Sequence, residues 1–162
     1  MPPLIASLVF LVATWFGVGR SPRAPGTVGS LAALPFGAAL MWAVGGWGLA
    51  AATAGLFLLG TWAAHHYAAR LGRDDPGEIV VDEVVGQWLP LCVLPVEPVA
   101  YALAFVSFRF FDIVKPWPIG VADRRLKGGL GIMIDDVLAG LAAAIVCLAV
   151  YAPLARTLLT GE

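Results

Sequence analysis

The chain has 162 residues, the size of one domain, yet 60% of them are hydrophobic and only 13% are charged. An ordinary soluble domain carries roughly 25% charged residues and buries only about two-thirds of its surface, so lipid is the natural solvent for this composition. A net charge of −1, with ten scattered bases matched by eleven acids, excludes a basic face for nucleic acid.

Six apolar runs separated by compact polar loops predict an all-α polytopic membrane protein, a single membrane-embedded domain over residues 1–162. The period-2 alternation of a membrane barrel is absent, and lipid otherwise forces helices. Run one, residues 4–18, has Pro2-Pro3 in place of a basic start and is followed by Arg20 rather than a cleavage site. It is expected to be a retained helix, not a signal peptide. Run two covers residues 28–44, and run three, residues 49–67, carries no charge and is the clearest span. Gly45-Gly46 and Gly48 mark the turn between them. Run four, residues 79–96, holds Asp82 and Glu83 near its start; run five, residues 99–114, holds Asp112 near its end. Pro95 and Pro98 separate these two. Run six, residues 130–153, contains Asp135 and Asp136 early. A full span needs about 20 apolar residues. The expectation is therefore about six short helices, with runs one and four inserted wholly or in part.

The two Gly and Pro turns contain no lysine or arginine, whereas the other loops carry Arg20, Arg23, Arg70, Arg73, Lys115, Arg124, Arg125 and Lys127. With Arg109 these lie at one face, leaving Arg156 for the other. The positive-inside rule makes the basic face cytoplasmic. Tryptophans near segment ends and His65-His66 fit interfacial roles, and Cys92 and Cys147 lack the neighbours of a sulfur metal site.

Chemistry concentrates at that basic face. Asp82, Glu83, Asp112, Asp135 and Asp136 all fall at the cytoplasmic ends of runs four to six. An acid inside a membrane segment costs roughly 2.5–3.5 kcal/mol on insertion scales. Five together repel one another unless cations or protons neutralise them, and a hard cation such as Mg²⁺ suits carboxylates plus phosphate. Candidate ligands are Asp82, Glu83, Asp112 and Asp136, with Asp135 beside them. Adjacent helical residues point about 100° apart, so one member of each acid pair is expected to bind metal while the other orients a base, a water or a second ion.

Two glycine-rich loops supply the anion side. The first brings Arg20, Ser21 and Arg23 to a helix start near Thr27 and Ser30; the second places Lys127 before the Asp135-Asp136 pair. Backbone N–H groups at a helix start bind phosphate, and glycine permits close approach. Arg109 and Lys115 complete the set of candidate phosphate ligands.

Four segments carry a resemblance: Gly19-Arg-Ser-Pro-Arg-Ala-Pro-Gly-Thr-Val-Gly-Ser-Leu, Val81-Asp-Glu-Val-Val-Gly-Gln-Trp, Phe108-Arg-Phe-Phe-Asp-Ile-Val-Lys-Pro-Trp-Pro-Ile and Lys127-Gly-Gly-Leu-Gly-Ile-Met-Ile-Asp-Asp-Val-Leu-Ala-Gly. In this order the chain resembles the phosphatidylglycerophosphatase A family of bacterial membrane phosphatases. The resemblance implies magnesium-dependent removal of the terminal phosphate of phosphatidylglycerophosphate, giving phosphatidylglycerol, in the cytoplasmic membrane. Metal-activated water and an aspartyl-phosphate intermediate are both compatible with the residues, and Glu83 is a candidate proton donor to the leaving alkoxide. An ion or proton transporter is the alternative, although it would place its acids near the midplane. The acid-rich pattern of a CDP-alcohol phospholipid synthase is missing.

Overall fold

The computed structural model describes residues 1–160, and side chains through residue 153. Among the described residues there are six α-helices, one short 3₁₀ turn and no strand. The helices are α1 (Pro3–Ala13), α2 (Pro25–Leu71), α3 (Val81–Leu91), α4 (Pro98–Val114), α5 (Ile119–Arg125) and α6 (Gly128–Thr160). Arg156, assigned from sequence to the face opposite the other bases, lies outside the described side chains.

Runs two and three merge into α2, whose 47 residues would reach about 70 Å as a straight rod. It is not straight. Gly45 has φ 68° and ψ −178°, a conformation open to glycine and incompatible with helix. Gly26 lies against Glu83 and Gly60 lies against Val81, two neighbouring positions of α3, yet a continuous helix would hold these glycines about 50 Å apart. The break at Gly45 therefore folds α2 into two arms, residues 25–44 and 46–71, as the glycine signal predicts.

Runs one and four are corrected in length. α1 stops at Ala13 because Trp15, Phe16 and Gly17 all take positive φ. α3 covers only Val81–Leu91. At 11 residues each, these helices measure about 16 Å, half the thickness of a hydrocarbon core. The helices long and apolar enough to cross a membrane, by length and composition, are Pro25–Leu71 and the Gly128–Pro153 part of α6. α5 has no counterpart in the sequence reading.

α3 is the central element. Val84, Val85, Gln87, Trp88 and Leu91 are all buried between both arms of α2, α4 and α6. The Trp88 indole N–H donates to the Ala33 carbonyl at 2.9 Å, and Trp15 packs edge-on against Trp88. α3 and α6 approach so closely that a Cβ on Gly86 would stand 2.7 Å from the Asp136 carbonyl, and one on Gly140 would strike the Gly86 carbonyl. Phe108 of α4 fits against Ala139 and Ala143 of α6. Gly60 admits Met133 and Val81, whereas Gly55 faces open space. The resulting body is apolar outside: Trp42, Trp47, Leu58 and Ile145 are exposed, while Ser30, Thr53, Gln87 and Asp136 are buried.

Candidate active site

A cavity of about 490 Å³ opens at the end of the bundle where α3 and α6 begin and α4 finishes. Asp82 and Glu83 occupy the first turn of α3, where the helix dipole favours negative charge, and the Glu83 N–H donates to Asp82 Oδ1 at 3.0 Å. The close crossing at Gly86 brings Asp136 of α6 to the same point. Carboxylate oxygens of Asp82, Glu83 and Asp136 all lie within 4.8 Å of one another. Adjacent helical positions diverge at the Cα, yet both Asp82 and Glu83 reach this point. Asp135 turns away from Asp136 and meets Lys115 instead.

Two of the basic groups are held by carboxylates. Arg109 forms an ion pair with Asp112 one turn along α4, stands 4.0 Å from Glu83, and donates to Ser30 Oγ at 3.4 Å. Lys115 Nζ sits 2.6 Å from both Asp123 and Asp135. Its burial alone would lower the ammonium pKa, but the hydrogen bonds to these two acids outweigh that and hold it above the ordinary lysine value. Thr27 and Lys127 also line the cavity.

Two observations bear on a metal. Glu83 Oε2 is buried with no hydrogen-bond partner among the described residues. Of Asp82, Glu83 and Asp136, Glu83 alone has a guanidinium within ion-pair reach among the described residues, that of Arg109, which Asp112 already engages. Uncompensated buried carboxylates are costly, and oxygen-only donors suit a hard cation. These three residues could hold a metal ion.

Of the residues expected to bind phosphate, Arg20, Ser21 and Arg23 stand apart from the carboxylate cluster, and Ser30 meets it only through Arg109. Arg20 and Ser21 line an adjoining cavity, Arg23 is exposed, and buried Ser30 donates to the Gly26 carbonyl at 2.8 Å. Between Ser21 and Pro25 the chain turns through Ala24 at φ 46°, which separates the arginines from the carboxylates. Conversely, Asp74, Asp75 and Asp123 line the cavity and were not anticipated. Asp74-Asp75 in a Pro/Gly loop and Asp123 beside Arg124-Arg125 read in sequence as solvated loop charges, so no signal set them apart.

The phosphatidylglycerophosphatase A family matches residues 11–151. A phosphatidylglycerophosphatase A of Escherichia coli (strain K12) is 43% identical over 136 residues, covering 83% of this chain and 78% of its own. One of Haemophilus influenzae is 44% identical over 143 residues, 88% of each chain. A Bacteroides thetaiotaomicron protein, provisionally described as a phosphatidylinositol-3-phosphatase, is 44% identical over 147 residues, 82% of this chain and 87% of its own. No solved structure matches. These relatives lend no support to a transporter. With the match running through the acid cavity and most of the chain, this protein belongs to the phosphatidylglycerophosphatase A family and is a phosphatase.

Proposed function

We propose that the enzyme hydrolyses the terminal phosphate of phosphatidylglycerophosphate to phosphatidylglycerol, using Mg²⁺, at the cytoplasmic face of the bacterial inner membrane. The observation that carries this reading is the convergence of Asp82, Glu83 and Asp136 within 4.8 Å, beside Arg109. The names of the Escherichia coli and Haemophilus influenzae relatives support the substrate. The apolar exterior supports insertion, with the two arms of α2, α4 and α6 crossing and the short α1 and α3 inserted in part. The arginine- and lysine-bearing loops around the cavity support a cytoplasmic orientation.

Asp82, Glu83 and Asp136 would hold Mg²⁺, with Asp112 next to them. When bound there, the ion supplies Lewis-acid polarisation of the phosphoryl oxygens and lowers the pKa of a coordinated water. The remaining roles belong to the chain. Arg109, fixed by Asp112, sets positive charge against the phosphoryl group as the leaving oxygen becomes negative. Lys115, clamped between Asp123 and Asp135, and Lys127 add to that field. Hydrolysis forms a P–O bond from water and breaks the bond to the glycerol oxygen, so one proton leaves the water and one reaches the alkoxide. Asp135 accepts from Lys115 through Oδ2, and its buried Oδ1 has no hydrogen-bond partner among the described residues; with Glu83 given to the metal, Asp135 is the carboxylate for that exchange.

The test is phosphate release from phosphatidylglycerophosphate by purified protein in detergent, with and without Mg²⁺, for wild type and Asp136→Asn. The expected result is Mg²⁺-dependent release that falls at least about a hundredfold in the variant. Mg²⁺ should also raise the melting temperature of wild type and not of Asp136→Asn. A folded wild type that releases no phosphate across lipid and metal conditions would overturn the proposal.

A further inference from the structure

Beside the acid cavity lies a second one of about 390 Å³, lined by Gly19, Arg20, Ser21, Arg73, Gly77 and Glu78 among others. Pro25 and Gly77 line both, so the two cavities share a wall. Their chemistry is opposite. In the first, carboxylates outnumber bases; in the second, two guanidinium groups accompany one carboxylate. Arg73 is paired with Glu78 at 3.2 Å, while Arg20 forms no ion pair among the described residues. One positive charge is therefore left over in the smaller cavity.

The position of Arg20 is built, not incidental. The Gly19 N–H donates to the Thr14 carbonyl at 2.9 Å and the Ser21 N–H to the Val18 carbonyl at 3.0 Å. The Val80 N–H ties the neighbouring segment to the Ala13 carbonyl at 2.9 Å. Gly19 lies so close to the Glu78 carbonyl that any Cβ there would collide with it. The loop bearing Arg20 is thereby pressed against Glu78 and Val80, next to Gly77, which lines both cavities.

A lipid with one phosphate needs only one such compartment. Phosphatidylglycerophosphate carries two phosphates, a terminal monoester and a diester, separated by one glycerol unit. We infer that the cavity of Arg20 and Arg73 takes the phosphodiester of the substrate, while the monoester enters the carboxylate cavity. This rests on the reading of the substrate given above. It makes Arg20 a specificity residue that favours lipids with two phosphates over lipids with a lone phosphomonoester. A guanidinium recognises a phosphate oxygen pair through parallel N–H bonds, which a lysine cannot reproduce.

The experiment compares wild type, Arg20→Gln and Arg20→Lys on phosphatidylglycerophosphate and on phosphatidic acid, which has a monoester and no diester. Nonionic micelles free of other phospholipid make the substrate the sole source of phosphodiester. In Arg20→Gln the ratio of kcat/KM for the two-phosphate lipid over phosphatidic acid is expected to fall about tenfold, chiefly through KM, with Arg20→Lys in between. An unchanged ratio, with both substrates affected alike, would overturn the inference and leave Arg20 a structural or monoester-binding group. A change that emerges only after anionic lipid is added would also overturn it, in favour of a bulk-lipid anchor. A binding arm reads independently of turnover. Phosphatidylglycerol keeps the diester alone, and it should raise the melting temperature of wild type more than that of Arg20→Gln. If wild type turns over neither substrate but this binding difference holds, the assigned reaction fails and the diester site stands. Loss of the binding difference in an active enzyme sinks the site alone.

Discussion

One methyl group at Gly86 separates a functional helix crossing from mere tight packing. A Cβ there would lie 2.7 Å from the Asp136 carbonyl oxygen and 2.7 Å from Phe108 Cζ. Ordinary contacts between such atoms are about 3.5–4.0 Å, so α3 and α6 must separate by about 1 Å. Phe108 is fully buried and cannot swing aside. Gly86→Ala gains about 1 kcal/mol in helix propensity and loses about 1–3 kcal/mol to overpacking. The net loss of about 0–2 kcal/mol lowers the melting temperature by up to about 8 °C. Activity responds more sharply. Asp82 and Glu83 ride on α3 and Asp136 on α6, and Mg–oxygen bonds of about 2.0–2.1 Å leave little room for a 1 Å displacement. A misplacement of that size costs on the order of a hundredfold in rate. The assay is phosphate release alongside thermal unfolding, with Gly55→Ala as the control. Gly55 has nothing within 4 Å of its would-be Cβ, so that variant should be as stable as wild type or more so and equally active. A Gly86→Ala enzyme within about twofold of wild-type kcat/KM would refute the view that this crossing sets the spacing of the carboxylates.

Three further outcomes follow from the charge network. Arg109→Ala leaves Asp112 and Glu83 without their guanidinium, which should abolish activity and destabilise by about 3 kcal/mol, with Mg²⁺ restoring part of the melting temperature. Arg109→Lys keeps the charge but loses the fork that spans Asp112, Glu83 and Ser30, so it should recover stability better than rate. The ammonium of Lys115 is held above its usual pKa. The stability it contributes is therefore complete below about pH 10.4, and is lost only as pH climbs through the higher folded value. The difference in melting temperature between wild type and Lys115→Met should be the same at about pH 7 and about pH 9. A gap that narrows over that interval would show that the ion pairs with Asp123 and Asp135 do not hold the proton.

The parts legible in the sequence were those where a residue type is costly without a reason. Acids in apolar runs are such a case, and Asp82, Glu83, Asp112, Asp135 and Asp136 do line one cavity. The fold-back of α2 was also readable, because Gly45-Gly46 interrupts two apolar runs. Helix lengths were not, since hydrophobicity continues through Trp15, Phe16 and Gly17 while the backbone leaves the helix. α5 escaped notice because a seven-residue turn of helix between Pro118 and Leu126 has no periodicity to reveal it. Linear order also grouped Arg20 and Arg23 with Thr27, although Arg20 lines a cavity adjoining that of Thr27. Their proximity to Thr27 in the chain suggested one phosphate site, whereas the reversal at Ala24 divides that stretch between two cavities.

Ile113 lines the carboxylate cavity and is also 69% exposed on the outer surface of α4, in company with Val106, Phe110 and Val114. On the proposed reading, the rim of the cavity is thus open sideways to the acyl region as well as upward to water. A headgroup can enter by lateral diffusion without its chains leaving the leaflet, and inorganic phosphate can depart into the aqueous phase. Turnover in such an enzyme follows the mole fraction of substrate in the interface, not its bulk molarity. Diluting phosphatidylglycerophosphate with inert detergent at constant total substrate should slow the reaction, as surface-dilution kinetics require.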